Sequence, residues 1–162
     1  MMVHDDVKGF LNQLVATQGL LYTRLHQFHW YVNGPHFFTL HEQFEALYDT
    51  VTANMDDVAE RLIAIGGEPY ATLAEFQEHA ILEEDVDDKN LSEDEMVEAV
   101  VADYQAIRDF LTEGIHLTDE HADFVSNDML IAMKEDIDKT LWMLQAYLGK
   151  RPSEQSDYVR SR

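Results

Sequence analysis

Apolar residues recur at helical spacing along almost the whole of this 162-residue chain, and this periodicity constrains the fold more than any other feature. Only three prolines and seven glycines are present, and the apolar residues do not alternate as they do in strands. The sequence therefore predicts an all-α fold. Its length suits one compact core, so we expect a single domain over residues 1–162 with a short, polar, mobile tail from about residue 150.

Two helices are predicted in the first half of the chain. The first carries an apolar stripe from Val7 to Phe28 and stops at the Asn-Gly-Pro run 33–35. The second opens at Thr39, where Thr-Leu-His-Glu has the pattern of a capping box, and ends at the Gly-Gly pair 66–67. The short link between the two helices predicts that they are antiparallel neighbours.

Two further helices are predicted in the second half. The third begins at a capping box formed by Ser92 and Glu95 and runs out near Gly114. The last helix starts near Thr118 and closes at Gly149. The link between them is again short, which predicts a second antiparallel pair.

The connection between the second and third helices is about 25 residues long, far more than a tight turn needs. We therefore expect it to cross the length of the bundle, which makes these two helices parallel. Within it, Thr72 and Glu75 have the pattern of another capping box, so a short helix is expected from about residue 73 to 80. This is the single-crossover four-helix bundle of ferritin-like proteins.

Composition limits what such a bundle can bind. The formal charge is −21, from 32 acidic and 11 basic residues, which disfavours phosphate-binding surfaces and favours cations. Cysteine is absent, so a metal must be held by His and carboxylate, a chemistry that suits iron, manganese or zinc. There is no signal-peptide pattern and no apolar run of about 20 residues, so we expect a soluble, cytoplasmic protein without membrane association.

Two pairs of potential metal ligands stand four residues apart on the second helix. They are His41 with Glu45, and Asp56 with Glu60. At about 100° per residue, all four share one face, away from the apolar stripe. Along the axis, however, Glu45 and Asp56 are about 16 Å apart, whereas ligands lie roughly 2 to 2.5 Å from an iron ion. One chain therefore cannot close a site from these residues.

A second copy of the chain can close it. If the second helix packs antiparallel against its own copy across a twofold axis, His41 lies opposite the partner subunit's Glu60. The same register sets Glu45 opposite the partner subunit's Asp56. Both pairs align at once, which predicts two equivalent sites in each dimer. Residues on the same face that are small or apolar, as a buried contact requires, are Thr52, Ala59 and Ile63.

His29, near the end of the first helix, is a further candidate ligand, because the short loop brings it close to His41. Two histidines and three carboxylates suit a pair of ferrous ions with open positions for an oxidant. Ordinary alternatives stay open. Acidic residues on a helix commonly form a solvated face, and a histidine among aromatic neighbours is equally a hydrogen-bonded core residue.

The run HQFHWYVNGPHFFTLHEQFEALYDTVTANMDDVAERLIAIGGEP spans the candidate ligands, and it is accompanied by TLAEF, by LTDEHADFVSNDMLIA, assigned to the last helix, and by WMLQAYLGKRP. Together, over residues 10–152, these stretches resemble the signature of the Dps family, the DNA-protection-during-starvation miniferritins. The resemblance places the family's ligands, contributed by two subunits, on His29, His41, Glu45, Asp56 and Glu60. Position 45 is Asp in many members and Glu in others.

The resemblance implies a hollow homododecamer with di-iron ferroxidase sites at its twofold interfaces. Members of the family bind Fe(II), oxidise it preferentially with hydrogen peroxide, and store the Fe(III) mineral inside, which protects the cell from oxidative damage. Trp30, beside His29, resembles the family's tryptophan near the site, which takes up stray oxidising equivalents. It is equally a large packing residue.

In the same family, aspartates from the start of the last helix line a threefold pore through which iron enters. Asp119 and Asp128 match two of these positions. Phe124 stands where relatives often carry another aspartate, and the neighbouring Asp123 is the candidate substitute.

Strong DNA binding is not expected, because the N-terminal segment offers only Lys8 among acidic neighbours and the C-terminal tail is weakly basic. The alternative is a DNA-compacting member of the family in which iron is incidental. A ferritin with its site inside one bundle needs two Glu-x-x-His pairs, and only Glu113 with His116 is found. A plain helical interaction module would show no metal dependence.

Overall fold

The computed structural model describes residues 4–151. Five α-helices follow one another in this part of the chain, together with one 3-10 helix and no strand: α1 (Asp5–Tyr31), α2 (Phe37–Ala64), α3 (Leu73–His79), the 3-10 helix (Val86–Asn90), α4 (Glu93–Glu120) and α5 (Phe124–Tyr147). The all-α prediction is confirmed. Almost all of the predicted tail lies outside the described residues. No helix in the described range is long and apolar enough to cross a membrane.

The four long helices pack as a bundle around one apolar core. α1 packs chiefly against α2, and α4 packs chiefly against α5, as the two short links predict. The predicted apolar stripes supply the core, in which Leu11, Leu25, Phe28, Phe44 and Leu62 are fully buried. Burying side chains of this size stabilises the fold by roughly 1.5 to 3 kcal/mol each before the loss of conformational entropy is counted.

The long connection packs along α1 through α3 and the 3-10 helix. The predicted short helix is confirmed as α3: the Thr72 hydroxyl accepts a hydrogen bond from the Glu75 backbone N–H, as in the predicted capping box. Further along, the buried Arg24 of α1 donates to Asp88 in the 3-10 helix at 3.0 Å and to Asp103 of α4 at 2.7 Å. This network ties the crossover to the core.

The capping box predicted at Thr39 is wrong. α2 starts at Phe37, one half-turn earlier, and its N-cap residue is His36. The backbone N–H of His36 donates to the Glu93 carboxylate at 2.7 Å, and that carboxylate comes from the first turn of α4. A residue distant in sequence therefore satisfies the start of the helix. The Ser92–Glu95 capping box at the start of α4 is confirmed.

The predicted boundary between the last two helices is also wrong. α4 continues past Gly114 to Glu120, and the ring of Phe10 occupies the space that a side chain at Gly114 would need. Gly114 is therefore a close-packing position inside the helix and not its end. Thr118 is buried inside α4, where its hydroxyl donates to the Gly114 carbonyl at 2.8 Å. The last helix begins only at Phe124, so the LTDE part of the family motif ends α4.

Candidate metal centre

His29 and His41 face each other at the junction of α1 and α2. The Nδ1 atom of His29 is 2.7 Å from the His41 carbonyl oxygen, and the Nδ1 atom of His41 is 2.8 Å from the His29 carbonyl oxygen. Their rings stack with centroids 3.8 Å apart and planes 12° from parallel. The predicted approach of these two histidines is therefore confirmed.

These reciprocal bonds fix the protonation pattern of both rings. A carbonyl oxygen only accepts, so each Nδ1 must carry a hydrogen and donate it. In a neutral imidazole, the other nitrogen, Nε2, then keeps its lone pair. Orienting a histidine through its second nitrogen in this way is how proteins prepare imidazole ligands for metals. Within a single chain, each ring therefore leaves its Nε2 free of these two hydrogen bonds.

Aromatic side chains that the sequence analysis did not predict as site residues surround the histidines. His26 lies one turn before His29 and stacks on Tyr48 with centroids 3.8 Å apart. The Tyr48 hydroxyl donates to Glu45 at 3.2 Å, and burial together with this carboxylate raises the pKa of Tyr48. The predicted ligand Glu45 is thereby held one turn beyond His41. Spacings of three residues along each helix were the signal for these neighbours.

Trp30 differs from its neighbour His29 in being exposed. Its side chain is 68% accessible, while His29 is 7% accessible. The indole meets the His26 ring edge-on with centroids 5.3 Å apart. In the single chain, Trp30 is therefore not a core packing residue but an exposed aromatic group at the edge of the histidine cluster.

The acidic pair stands alone. Asp56 and Glu60 are exposed on the second half of α2, and neither has a hydrogen-bond or ion-pair partner among residues 4–151. Ile63, on the same face, is 61% accessible. The only described group of three or more potential ligands within 4.8 Å of one another is elsewhere, at His4, Asp6 and His121. One chain brings His29 and His41 together, places Glu45 one turn beyond His41, and leaves the acidic pair apart.

The three predicted pore residues differ in whether their carboxylates are exposed or bound within the chain. Asp119, near the end of α4, and Asp128, in α5, are exposed. Asp123 instead caps α5, accepting from the Ser126 backbone N–H at 3.1 Å, and pairs with Arg61 of α2 at 2.9 Å. Although burial opposes ionisation, the Ser126 and Arg61 contacts hold the pKa of Asp123 below its usual value. Its carboxylate is therefore bound within the chain, to Ser126 and Arg61.

Glu113 and His116, the one pair suited to a site inside a single bundle, are both exposed on α4. A bundle-centre site requires inward-facing ligands from several helices. Their exposure removes the basis for the intrachain ferritin alternative.

Comparisons with known proteins cover almost the whole chain. The ferritin-like domain family matches residues 9–152. The chain is 48% identical over 149 residues to the DNA protection during starvation protein of Listeria innocua, covering 92% of this chain and 96% of that protein. It is 44% identical over 139 residues to General stress protein 20U of Bacillus subtilis, covering 86% and 94% respectively.

The three-dimensional similarity is equally extensive. The X-ray structure of Dps from Listeria monocytogenes matches with a TM-score of 0.89 and 47% identity, covering 94% of this chain and 99% of that one. The similarities in sequence and in fold thus extend over nearly the same length of chain.

Proposed function

The chain belongs to the ferritin-like family and, within it, to the DNA-protection-during-starvation (Dps) proteins, and from this premise we propose that it is an iron-oxidising miniferritin. It takes up Fe(II) as substrate, oxidises it at sites shared between two subunits, preferentially with hydrogen peroxide, and stores the ferric product inside a homododecameric shell. Removing Fe(II) and peroxide together protects the cell from oxidative damage.

The reciprocal bonding of His29 and His41 is the observation that carries this proposal. Each Nδ1 is held by the other residue's carbonyl oxygen at 2.7 to 2.8 Å, so each Nε2 is left to bind a metal ion. A histidine that serves only the core needs no free lone pair. Borderline ions such as Fe(II) are well suited to imidazole and carboxylate ligands.

The other half of each site is proposed to come from a twofold-related copy. Asp56 and Glu60 lie on the same face of α2 as His41, yet about 16 Å or more along the helix from Glu45. In the antiparallel register, the partner subunit's Glu60 meets His41 and the partner subunit's Asp56 meets Glu45. The exposed Ile63 on this face supports its burial by a second copy.

The proposed reaction converts two Fe(II) ions and one hydrogen peroxide, with two waters, into two ferric oxyhydroxide units and four protons. Both electrons that cleave the O–O bond come from the iron pair, so peroxide is reduced without releasing hydroxyl radical. The imidazoles and carboxylates hold the two ions close enough to react together. The acidic surface, at a formal −21 per chain, attracts Fe(II) to the protein.

Iron is proposed to enter through threefold openings lined by Asp119 and Asp128. Both carboxylates are exposed, as pore ligands must be. Asp123 is left out of this role because its carboxylate is bound to Arg61 and to the start of α5. Strong DNA binding is not proposed, since the same charge of −21 opposes contact with phosphates.

Peroxide-driven oxidation of Fe(II) by the assembled protein tests the proposal. The double substitution His29→Gly and His41→Gly is expected to lower the initial rate by at least about a hundredfold, because both neutral nitrogen ligands are lost. The matched control replaces His79 and His116, which lie outside the site, with Gly. Unchanged oxidation in the first variant, with assembly intact by light scattering, would reject the proposed site.

A further inference from the structure

A second group of metal-binding side chains lies at the other end of α1. His4, the N-cap residue of α1, stacks on His121, the C-cap residue of α4, with ring centroids 3.8 Å apart and planes 21° from parallel. Asp6, in the first turn of α1, completes the group. One potential ligand atom from each of the three residues lies within 4.8 Å of the others.

Within the described part of the chain, the two rings at this end differ from the other histidine rings near α1 and α2 in forming no hydrogen bond. The rings of His26, His29 and His41 each bond a backbone carbonyl, and the ring of His36 contacts Glu93. Among residues 4–151, neither imidazole of the stacked pair has a hydrogen-bond partner, and neither does the Asp6 carboxylate. Both nitrogens of each ring are therefore available as donors or ligands.

The three side chains favour one class of metal ion. Two imidazoles and one carboxylate suit borderline divalent ions such as Zn(II), and they leave a further position for water. Ligands at about 2.0 to 2.2 Å from a tetrahedral ion lie roughly 3.3 Å from one another, so small rotations of these side chains close the site. His4 and Asp6 are exposed and free to make them.

The local charges also favour a cation, because two full carboxylate charges exceed the partial positive charge, about half an elementary charge, that the dipole of α1 places at its start. His121 follows the last turn of α4, where the helix dipole places partial negative charge. Two acidic residues, Asp5 and Asp6, stand in the first turn of α1 beside it. Asp119, the proposed pore residue, is two positions before His121 in the sequence.

We propose that His4, Asp6 and His121 form a second divalent metal site, of the Zn(II) class, that ties the start of α1 to the turn between α4 and α5. This site is separate from His29, His41 and the acidic pair of α2, and it uses residues of one chain only. A bound ion links two segments that otherwise meet through a ring stack, so it stabilises that end of the bundle.

Zinc titration of the chelator-treated, assembled protein tests this site by calorimetry. The double variant His4→Ala and His121→Ala is expected to bind one Zn(II) fewer per subunit than the unmodified chain. Asp6→Asn, a conservative change at an exposed position, is expected to weaken the same binding step about tenfold. Co(II) added in place of Zn(II) should give the visible absorption of a four-coordinate imidazole site, which the double variant lacks.

The matched control is the double variant His79→Ala and His116→Ala, which removes two other histidines and should keep the full stoichiometry. Repeating the His4→Ala and His121→Ala changes in the His29→Gly and His41→Gly protein separates the two sites, because the loss of one ion per subunit should persist there. An unchanged stoichiometry in the His4 and His121 variant, or an equal loss in the control, would overturn the inference.

Discussion

The two ends of α2 carry the two halves of the proposed iron site, and they differ in how far one chain completes them. At the first end, His41 is locked to His29 by two hydrogen bonds and a ring stack, and Glu45 accepts from Tyr48. At the second end, Asp56 and Glu60 project from the helix without a partner among the described residues.

This difference separates folding from function. The histidine end contributes to the stability of the single chain, because the His29 ring is buried and both imidazoles are paired with backbone carbonyl oxygens. The acidic end contributes nothing comparable, since exposed carboxylates on an acidic helix repel one another. Substitutions at the two ends should therefore both abolish iron oxidation but affect stability differently.

The largest effect is expected at the acidic end. Asp56→Asn with Glu60→Gln removes two anionic ligands, so the rate of peroxide-driven Fe(II) oxidation should fall at least about a hundredfold. Rapid-mixing absorbance measurements on the assembled protein give this rate. Asp57→Asn with Glu78→Gln removes the same charge from exposed positions outside the proposed ligand set and should change the rate less than about threefold. Equal rates in both variants would show that charge, and not ligation, matters there.

The second effect concerns stability. His29→Ala removes a nearly buried ring and its bond to the His41 carbonyl, which should lower the free energy of unfolding by about 2 to 3 kcal/mol. Glu60→Gln should change it by less than about 0.5 kcal/mol. Thermal unfolding of the two variants in metal-free buffer, at one fixed subunit concentration, compares their stabilities. Similar midpoints for the two variants would contradict the contrast drawn between the ends.

The smallest effect tests how the acidic end of α2 is anchored. Asp123→Asn keeps a cap for α5 but breaks the ion pair with Arg61, at an expected cost of about 1 kcal/mol near neutral pH. The pKa of Asp123 is lowered in the folded state, so the unfolded chain takes up this proton first as the pH falls. The stabilisation is complete above about pH 4 and is lost below it.

Chemical unfolding of the two proteins at several pH values checks this prediction. The difference between them should be constant from about pH 5 to 7 and shrink as the pH falls through the lowered pKa of Asp123. A difference that grows on acidification would mean that another group dominates at this junction.

Much of the fold could be predicted because its signals are local. Helical periodicity, the capping boxes at Thr72 and Ser92, and the length of the crossover each act over a few residues or depend only on chain length. The misplaced boundaries depended on distant residues. Glu93 satisfies the start of α2, and Gly114 is required by close packing against the ring of Phe10, not by the end of a helix.

In the candidate site, too, local features could be predicted from the sequence and features that depend on distant residues could not. The spacing of His41, Glu45, Asp56 and Glu60 could be measured along one helix from the sequence alone. The reciprocal bonds between His29 and His41 could not, because they depend on how the loop between α1 and α2 positions two backbone carbonyls. The spacing of residues in the sequence does not predict the direction in which a backbone carbonyl group points.

Mixed oligomers test most directly whether each iron site needs two subunits. One parent carries His29→Gly and His41→Gly, the other carries Asp56→Asn and Glu60→Gln, and each alone should be inactive. After random reassembly from equal amounts, about half of the twofold pairs are mixed, and each mixed pair regains one intact site of its two. We predict recovery of about a quarter of the unmodified oxidation rate. Mixed assemblies as inactive as both parents would contradict the shared site.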